Sequence, residues 1–129
     1  MSDRCPCLSG DTFGQCCEPY LAGRAHPPTA ERLMRSRYTA FARGDATYLL
    51  ASWHPSTRPA SLELDPGIRW LSLEIVGRSG GGLLDTEGEV EFTARYRVTE
   101  ADGTGRRGTQ HERSRFGRDG GRWSYVGEA

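Results

Sequence analysis

Every cysteine of the chain falls in the stretch Cys5-Pro6-Cys7-Leu8-Ser9-Gly10-Asp11-Thr12-Phe13-Gly14-Gln15-Cys16-Cys17, at the spacing Cys-x-Cys-x8-Cys-Cys. No other feature constrains the fold as much. Four thiolates close a tetrahedral metal site, and a compact turn around Ser9-Gly10 brings the two pairs together. Adjacent cysteines such as Cys16 and Cys17 bridge each other only with strain, so chelation explains them better than a disulfide between them. Two disulfides linking the pairs would also satisfy an even cysteine count. Nothing else in the chain points to an oxidising compartment, which favours the metal. Zinc is the default occupant, and thiolate sites also take iron. A closed set of ligands Cys5, Cys7, Cys16 and Cys17 leaves no open coordination position, so the ion reads as structural.

A length of 129 residues suits one domain with its own core and a short appendage. The 17 basic residues, all of them arginine, balance 17 acidic ones. Net charge is therefore zero and supplies no global electrostatic case for nucleic acid or membrane. Met1-Ser2-Asp3-Arg4 leads straight into the cysteine box without the pattern of a secretory leader. No apolar run approaches the roughly 20 residues of a membrane span. The expected location is the cytoplasm.

Glu18 to Gly23 is long enough for one helical turn, and Arg24 to Pro28 reads as a linker, with Pro27-Pro28 excluding helix. Thr29 is a good N-cap with Glu31 in the first turn, and the helix it starts runs to about Arg43, where Gly44 stops it. Asp45 caps a second helix, from Ala46 to about Trp53, before Pro55. Ala30, Met34, Tyr38 and Phe41 form an apolar stripe on the first helix. Arg37 lies inside that stripe and needs a partner, whereas Arg35 and Arg43 point away.

Residues 56–67 read as irregular or as a short helix limited by Pro59 and Pro66. Four strands follow. Ile68 to Val76 puts Leu71, Leu73 and Ile75 on one face, and Gly77 to Gly88 reads as a long glycine-rich loop. Glu89 to Thr99 turns Val90, Phe92, Ala94, Tyr96 and Val98 one way and Glu91, Thr93, Arg95 and Arg97 the other. Asp102-Gly103 marks a turn, and Arg106 to Gly117 returns. A tight turn at Asp119-Gly120 then leads into Arg122 to Val126. That turn sets Phe116 opposite Trp123 and Ser114 opposite Tyr125, with Glu112 on the same face. Two helices followed by a four-stranded antiparallel meander define an α+β domain.

The spacing Cys5-Pro6-Cys7, Ser9-Gly10, Phe13, Cys16-Cys17 resembles the SEC-C metal-binding motif, known from the tail of the SecA preprotein translocase. Leu33-Met34-Arg35-Ser36-Arg37-Tyr38-Thr39-Ala40-Phe41, Trp53-His54-Pro55 and Glu112-Arg113-Ser114-Arg115-Phe116, in that order, resemble the bacterial YchJ family. That family joins a SEC-C motif, here 1–22, to a domain like nuclear transport factor 2, here 29–129. The resemblance implies a curved sheet enclosing a cone-shaped cavity. The chain departs from the motif at Leu8 and Asp11, where glycine and lysine are usual, and it lacks the family's second, C-terminal cysteine box. A leucine replacing a glycine of positive φ would be strained.

Arg37 and Glu112 both face inward and are expected to pair across the helix and the sheet, as a structural ion pair. Tyr38, Trp53, Trp70 and Trp123 can line a ligand pocket, although aromatics at core spacing more often make core. His54 can reach the cavity as an acid or base, or simply cap its helix. On the outer face, Arg95, Arg97, Arg113 and Arg115 alternate with Glu74, Glu89 and Glu91, with Glu91 set opposite Arg115. Such a self-neutralised face suits solvent or a second copy of the chain better than RNA, and no aromatics interleave to stack bases.

These features point to a non-catalytic metal-binding accessory protein. Its cysteine knuckle would dock a protein partner, and its cone would hold a protein segment or a small ligand. The alternative is an enzyme of the ketosteroid isomerase or dehydratase type, with Glu112 and His54 at work in the cone. With its ligands confined to a short segment outside the main core, the metal is expected to leave the cone intact when removed.

Overall fold

A computed structural model describes residues 3–129. A 3-10 turn at Phe13–Gln15 and helix α1 (Glu18–Leu21) close the cysteine segment. Helices α2 (Ala30–Arg43) and α3 (Ala46–Ala51) follow. The strands β1 (Ile68–Gly80), β2 (Glu87–Thr99), β3 (Gly105–Asp119) and β4 (Arg122–Glu128) complete the chain. They form one antiparallel sheet in the order β1-β2-β3-β4, and α2 packs across its concave side. No helix among the described residues is long and apolar enough to cross a membrane.

The caps behave as their chemistry dictates. The Thr29 side chain accepts from Arg32 N at 3.2 Å, and that of Asp45 accepts from Tyr48 N at 3.0 Å. Gly44 ends α2 in the left-handed region, at φ 74°. Helix α3 stops at Ala51, earlier than expected, because the backbone of the next residues turns to join the sheet. Tyr125 N donates to Ser52 O at 2.9 Å, and His54 N donates to Tyr125 O at 2.8 Å.

Three strand expectations are corrected. First, β1 runs on to Gly80, so only 81–86 are loop. Gly81 sits against the start of α2, where its carbonyl accepts from Ala30 N at 3.0 Å and an added Cβ would stand 2.7 Å from that of Ala30. Second, the pairing of β1 with β2 slips at Leu71 and again at Val76. Leu71 and Val76 are therefore extruded, at 43% and 53% exposure, and Trp70 takes the inward place beside Leu73. Each slip bends the strand, which is how the sheet curves. After the second slip, Arg78 lies on the helix side and pairs with Glu31.

Third, the last hairpin turns one residue later, at Gly120-Gly121, so that Phe116 faces Tyr125 and Arg118 faces Trp123. The shift in pairing is two residues. Because side chains alternate with period two, every inward residue stays inward. The β2–β3 hairpin shifts likewise: Glu91 lies opposite Arg113 and Glu89 opposite Arg115.

Leu33, Met34, Tyr38, Leu73, Val90, Phe92, Ala94, Phe116 and Trp123 form the core, and Cys5, Cys7, Cys16 and Cys17 belong to the same buried cluster. The cysteine knuckle is thus not a detached appendage. It packs against α2, and the expectation that metal loss would leave the cone intact is revised accordingly.

Candidate metal centre and cone cavity

The knuckle folds through local backbone bonds. Leu8 N donates to Cys5 O at 3.1 Å, Cys5 N to Asp11 O at 2.9 Å, and Cys16 N to Phe13 O at 3.1 Å. Leu8 has φ 63°, the one positive φ outside glycine among the described residues, and Gly10 follows at φ 95°. Leu8 is thus held where an L side chain is disfavoured by about 1–2 kcal/mol.

The four thiols are free and buried, at 0–3% exposure, with all Sγ atoms within 4.8 Å of one another. Cys7 and Cys16 sulfurs are 3.6 Å apart and those of Cys16 and Cys17 3.8 Å. A tetrahedral zinc bound to four sulfurs at about 2.3 Å spaces them by about 3.8 Å. Two of the six spacings match that value, and the rest lie within 4.8 Å, so the cluster could hold a tetrahedral ion. Thiols this crowded compete for protons. Hydrogen bonds from the Cys17 and Cys5 thiols hold Cys7 far below the ordinary thiol range. Hydrogen bonds with Cys5 and Cys7 push Cys17 upward, and burial pushes Cys16 up to about 11. Cys5, Cys7, Cys16 and Cys17 would hold a cation as thiolates, so its binding would be coupled to loss of those protons.

A ring of partners fixes the sulfurs. Thr39 Oγ1, fully buried on α2, donates to Cys17 Sγ at 3.3 Å and lies 3.6 Å from Cys5 Sγ. Ser9 Oγ is 3.1 Å from Cys16 Sγ. Arg35 donates from Nη1 to Cys7 O at 2.8 Å and from Nε to Glu31 Oε2 at 3.1 Å. Arg43 lies over the Phe13 ring at 4.4 Å. Sequence reasoning missed Thr39 and Arg35 as supports of the site. The signal was present: Arg35, Thr39 and Arg43 recur at helical spacing on the side of α2 away from its apolar stripe.

The other side of α2 roofs a cavity of about 160 Å³ lined by Arg37, Tyr38, Trp53, Trp70, Glu112 and Tyr125 among others. Arg37 is 4% exposed, and its Nη1 donates to Leu49 O at 2.8 Å and to Ser52 Oγ at 2.7 Å. Its guanidinium carbon stands 4.4 Å from the Tyr125 ring centre and 5.1 Å from that of Trp53. Burial lowers its pKa to about 10, so it keeps its charge at neutral pH. Glu112 accepts from Ser114 Oγ and, at 3.2 Å, from Tyr125 Oη.

The expected direct pair of Arg37 with Glu112 is absent from the ion pairs of the described residues. The two share a cavity but not an ion pair, because Leu49 of α3 and Ser52 just after it supply Arg37 with backbone and hydroxyl acceptors first. Two other candidates lie elsewhere. His54 lines a different surface depression, with Nε2 2.8 Å from Asp119 Oδ2 and Nδ1 2.7 Å from Ser56 Oγ. The extended path after α3 turns it away from the cone. Trp123 is 2% exposed in the core and donates from Nε1 to Pro28 O at 3.1 Å. On the outer face, Arg113 pairs with Glu89 and Glu91, and His111 with Glu91.

A curved sheet under a long helix, with a four-thiol knuckle at the side, defines a nuclear transport factor 2-like domain carrying a SEC-C motif. Residues 1–19 match the SEC-C motif and residues 29–128 match the middle, NTF2-like domain of YchJ. The chain belongs to the YchJ family. It is 50% identical to a UPF0225 protein of Streptomyces coelicolor, covering 95% of this chain and 91% of that one. It is 52% identical to a UPF0225 protein of Corynebacterium efficiens, covering 95% and 89%. Among solved structures, a SEC-C motif containing protein from Rhodopseudomonas palustris superposes with TM-score 0.81 at 34% identity, over 97% of this chain and 96% of that one. A SEC-C motif containing protein from Psychrobacter arcticus gives TM-score 0.71 at 26% identity, over 95% and 79%.

Proposed function

We propose that this chain is a non-catalytic accessory protein with one structural ion, zinc by preference, built into its fold, and a cone that holds a small ligand. The observation that carries the reading is the cluster of four free, buried sulfurs within 4.8 Å of one another, packed against α2. Four thiolates with no fifth ligand suit a structural ion. The rim of the knuckle, where Leu8 is 56% exposed, is the surface offered to a protein partner.

Enzymatic acid–base chemistry in the cone finds less support, because His54 lies outside it and Glu112 is the one carboxylate among the lining residues. Cobalt(II) substitution tests the metal assignment. One cobalt per chain with the intense visible bands of a tetrahedral thiolate site is expected, and Cys16→Ser with Cys17→Ser abolishes it. Weak octahedral bands, or two disulfides in protein purified anaerobically without added reductant, would overturn the reading.

A further inference from the structure

The cone holds two charges of opposite sign that face one cavity and do not touch. Both hydrogen bonds of Arg37 leave from Nη1, so Nε and Nη2 have no acceptor among the described residues. Those two nitrogens form the edge of a guanidinium that grips a carboxylate with two parallel bonds. A buried arginine with donors unused and no direct ion pair is costly, since Glu112 acts on it only across the cavity, and a carboxylate arriving from the cavity relieves that cost. On the opposite wall, Glu112 uses Oε2 for Ser114 and Tyr125, and Oε1 has no partner among the described residues. Trp53, which lines the cavity, has its Nε1 buried without an acceptor.

We propose that the cone binds a small amphoteric molecule, one carboxylate and one amine on a compact apolar body, the chemistry of a free α-amino acid. The carboxylate lies on the Nε–Nη2 edge of Arg37 and the amine on Glu112. An anion alone would set two negative charges against Arg37, and a cation alone would leave Arg37 unmatched. A molecule bearing both charges satisfies each wall. Tyr38, Phe41, Trp70 and Phe92 cover its apolar part. The volume of about 160 Å³ is below the roughly 300 Å³ at which pockets for larger ligands begin, which restricts the body to a few carbons. This inference rests on the reading of the cone as a ligand site and is independent of the metal.

The chain carries its own reporters. Trp53 and Trp70 line the cavity, while Trp123 is locked to Pro28 in the core. Indole N–H signals of the full, metal-loaded chain are followed by NMR against glycine, L-leucine and L-phenylalanine. Two half-probes accompany them, 4-methylpentanoate with the acid alone and 3-methylbutylamine with the amine alone. At least one amino acid is expected to move the Trp53 and Trp70 signals and leave that of Trp123 in place. Each half-probe is expected to bind at least tenfold more weakly than L-leucine. Glu112→Gln reduces L-leucine to the level of the acid, with metal content per chain unchanged. No response to any amino acid at about 10 mM, weaker than any useful affinity, overturns the proposal. An acid half-probe that binds as well as L-leucine overturns the amphoteric ligand while leaving a ligand-holding cone. Metal content, read on the same samples, separates either failure from failure of the metal assignment.

Discussion

The two sides of α2 handle buried polar groups in opposite ways. Toward the knuckle, Thr39, Arg35 and Ser9 bond to sulfurs and a carbonyl of the closed four-thiol cluster. Toward the cone, Arg37 and Glu112 line one cavity, each with polar atoms unused, and make no direct ion pair. A site whose ligands are all protein groups can be shut away from solvent. A site that needs a group from outside has to stay open. One helix therefore links the four-thiol cluster to a cavity, and disturbing the first side is expected to reach the second.

Metal removal gives the largest effect. A structural zinc contributes about 10–16 kcal/mol in small zinc-binding peptides, comparable with the whole stability of about 5–15 kcal/mol of an ordinary domain. Because the cysteines share the core cluster with Leu33, Met34 and Tyr38, Cys16→Ser with Cys17→Ser is expected to loosen the cone as well as the knuckle. Near-ultraviolet circular dichroism of the cone's tryptophans checks this, and an unchanged spectrum in the variant would return the knuckle to the status of an appendage. Loading also expels thiol protons, so chelators should strip the ion more readily as pH falls from 8 to 6, about the range over which thiolate and proton compete.

On the cone side, Arg37→Met removes two hydrogen bonds and two aromatic contacts and is expected to cost about 2–4 kcal/mol. Arg37 and Glu112 do not pair directly but share Tyr125 as a partner, so the losses in Arg37→Met and Glu112→Gln should depart from additivity by no more than about 1 kcal/mol. A double variant that recovers much of the loss in urea denaturation would restore the direct pair.

Thr39→Val keeps the shape of the side chain and deletes its donor to Cys17. Metal affinity should fall about 10–100-fold, as for other groups that orient metal ligands, measured by competition with a chromophoric chelator. The smallest effect belongs to Leu8→Gly, which relieves a φ of 63° and should slow metal loss to a chelator in line with about 1 kcal/mol. Faster loss would mean that the leucine side chain contributes more at the rim than its backbone strain removes.

What the sequence determined by itself is whatever neighbouring residues decide between them. The cysteine spacing points to a metal site because its four candidate ligands lie within one turn-rich segment. Thr29, Asp45 and Gly44 mark helix ends because caps bond within a few residues. The alternation of β2 and the inward face of β3 are legible because a period of two survives even a two-residue error in the hairpin. Only the tertiary structure decided the rest. The slips at Leu71 and Val76 depend on how β1 wraps around the core, not on its own alternation. The acceptors of Arg37 come from α3 and from Ser52 just after it, and His54 is aimed by a backbone bond to β4. The knuckle is buried because α2 offers it Thr39 and Arg35. Each of these outcomes is a competition among partners distant in sequence, and a pattern along the chain carries no term for who arrives first.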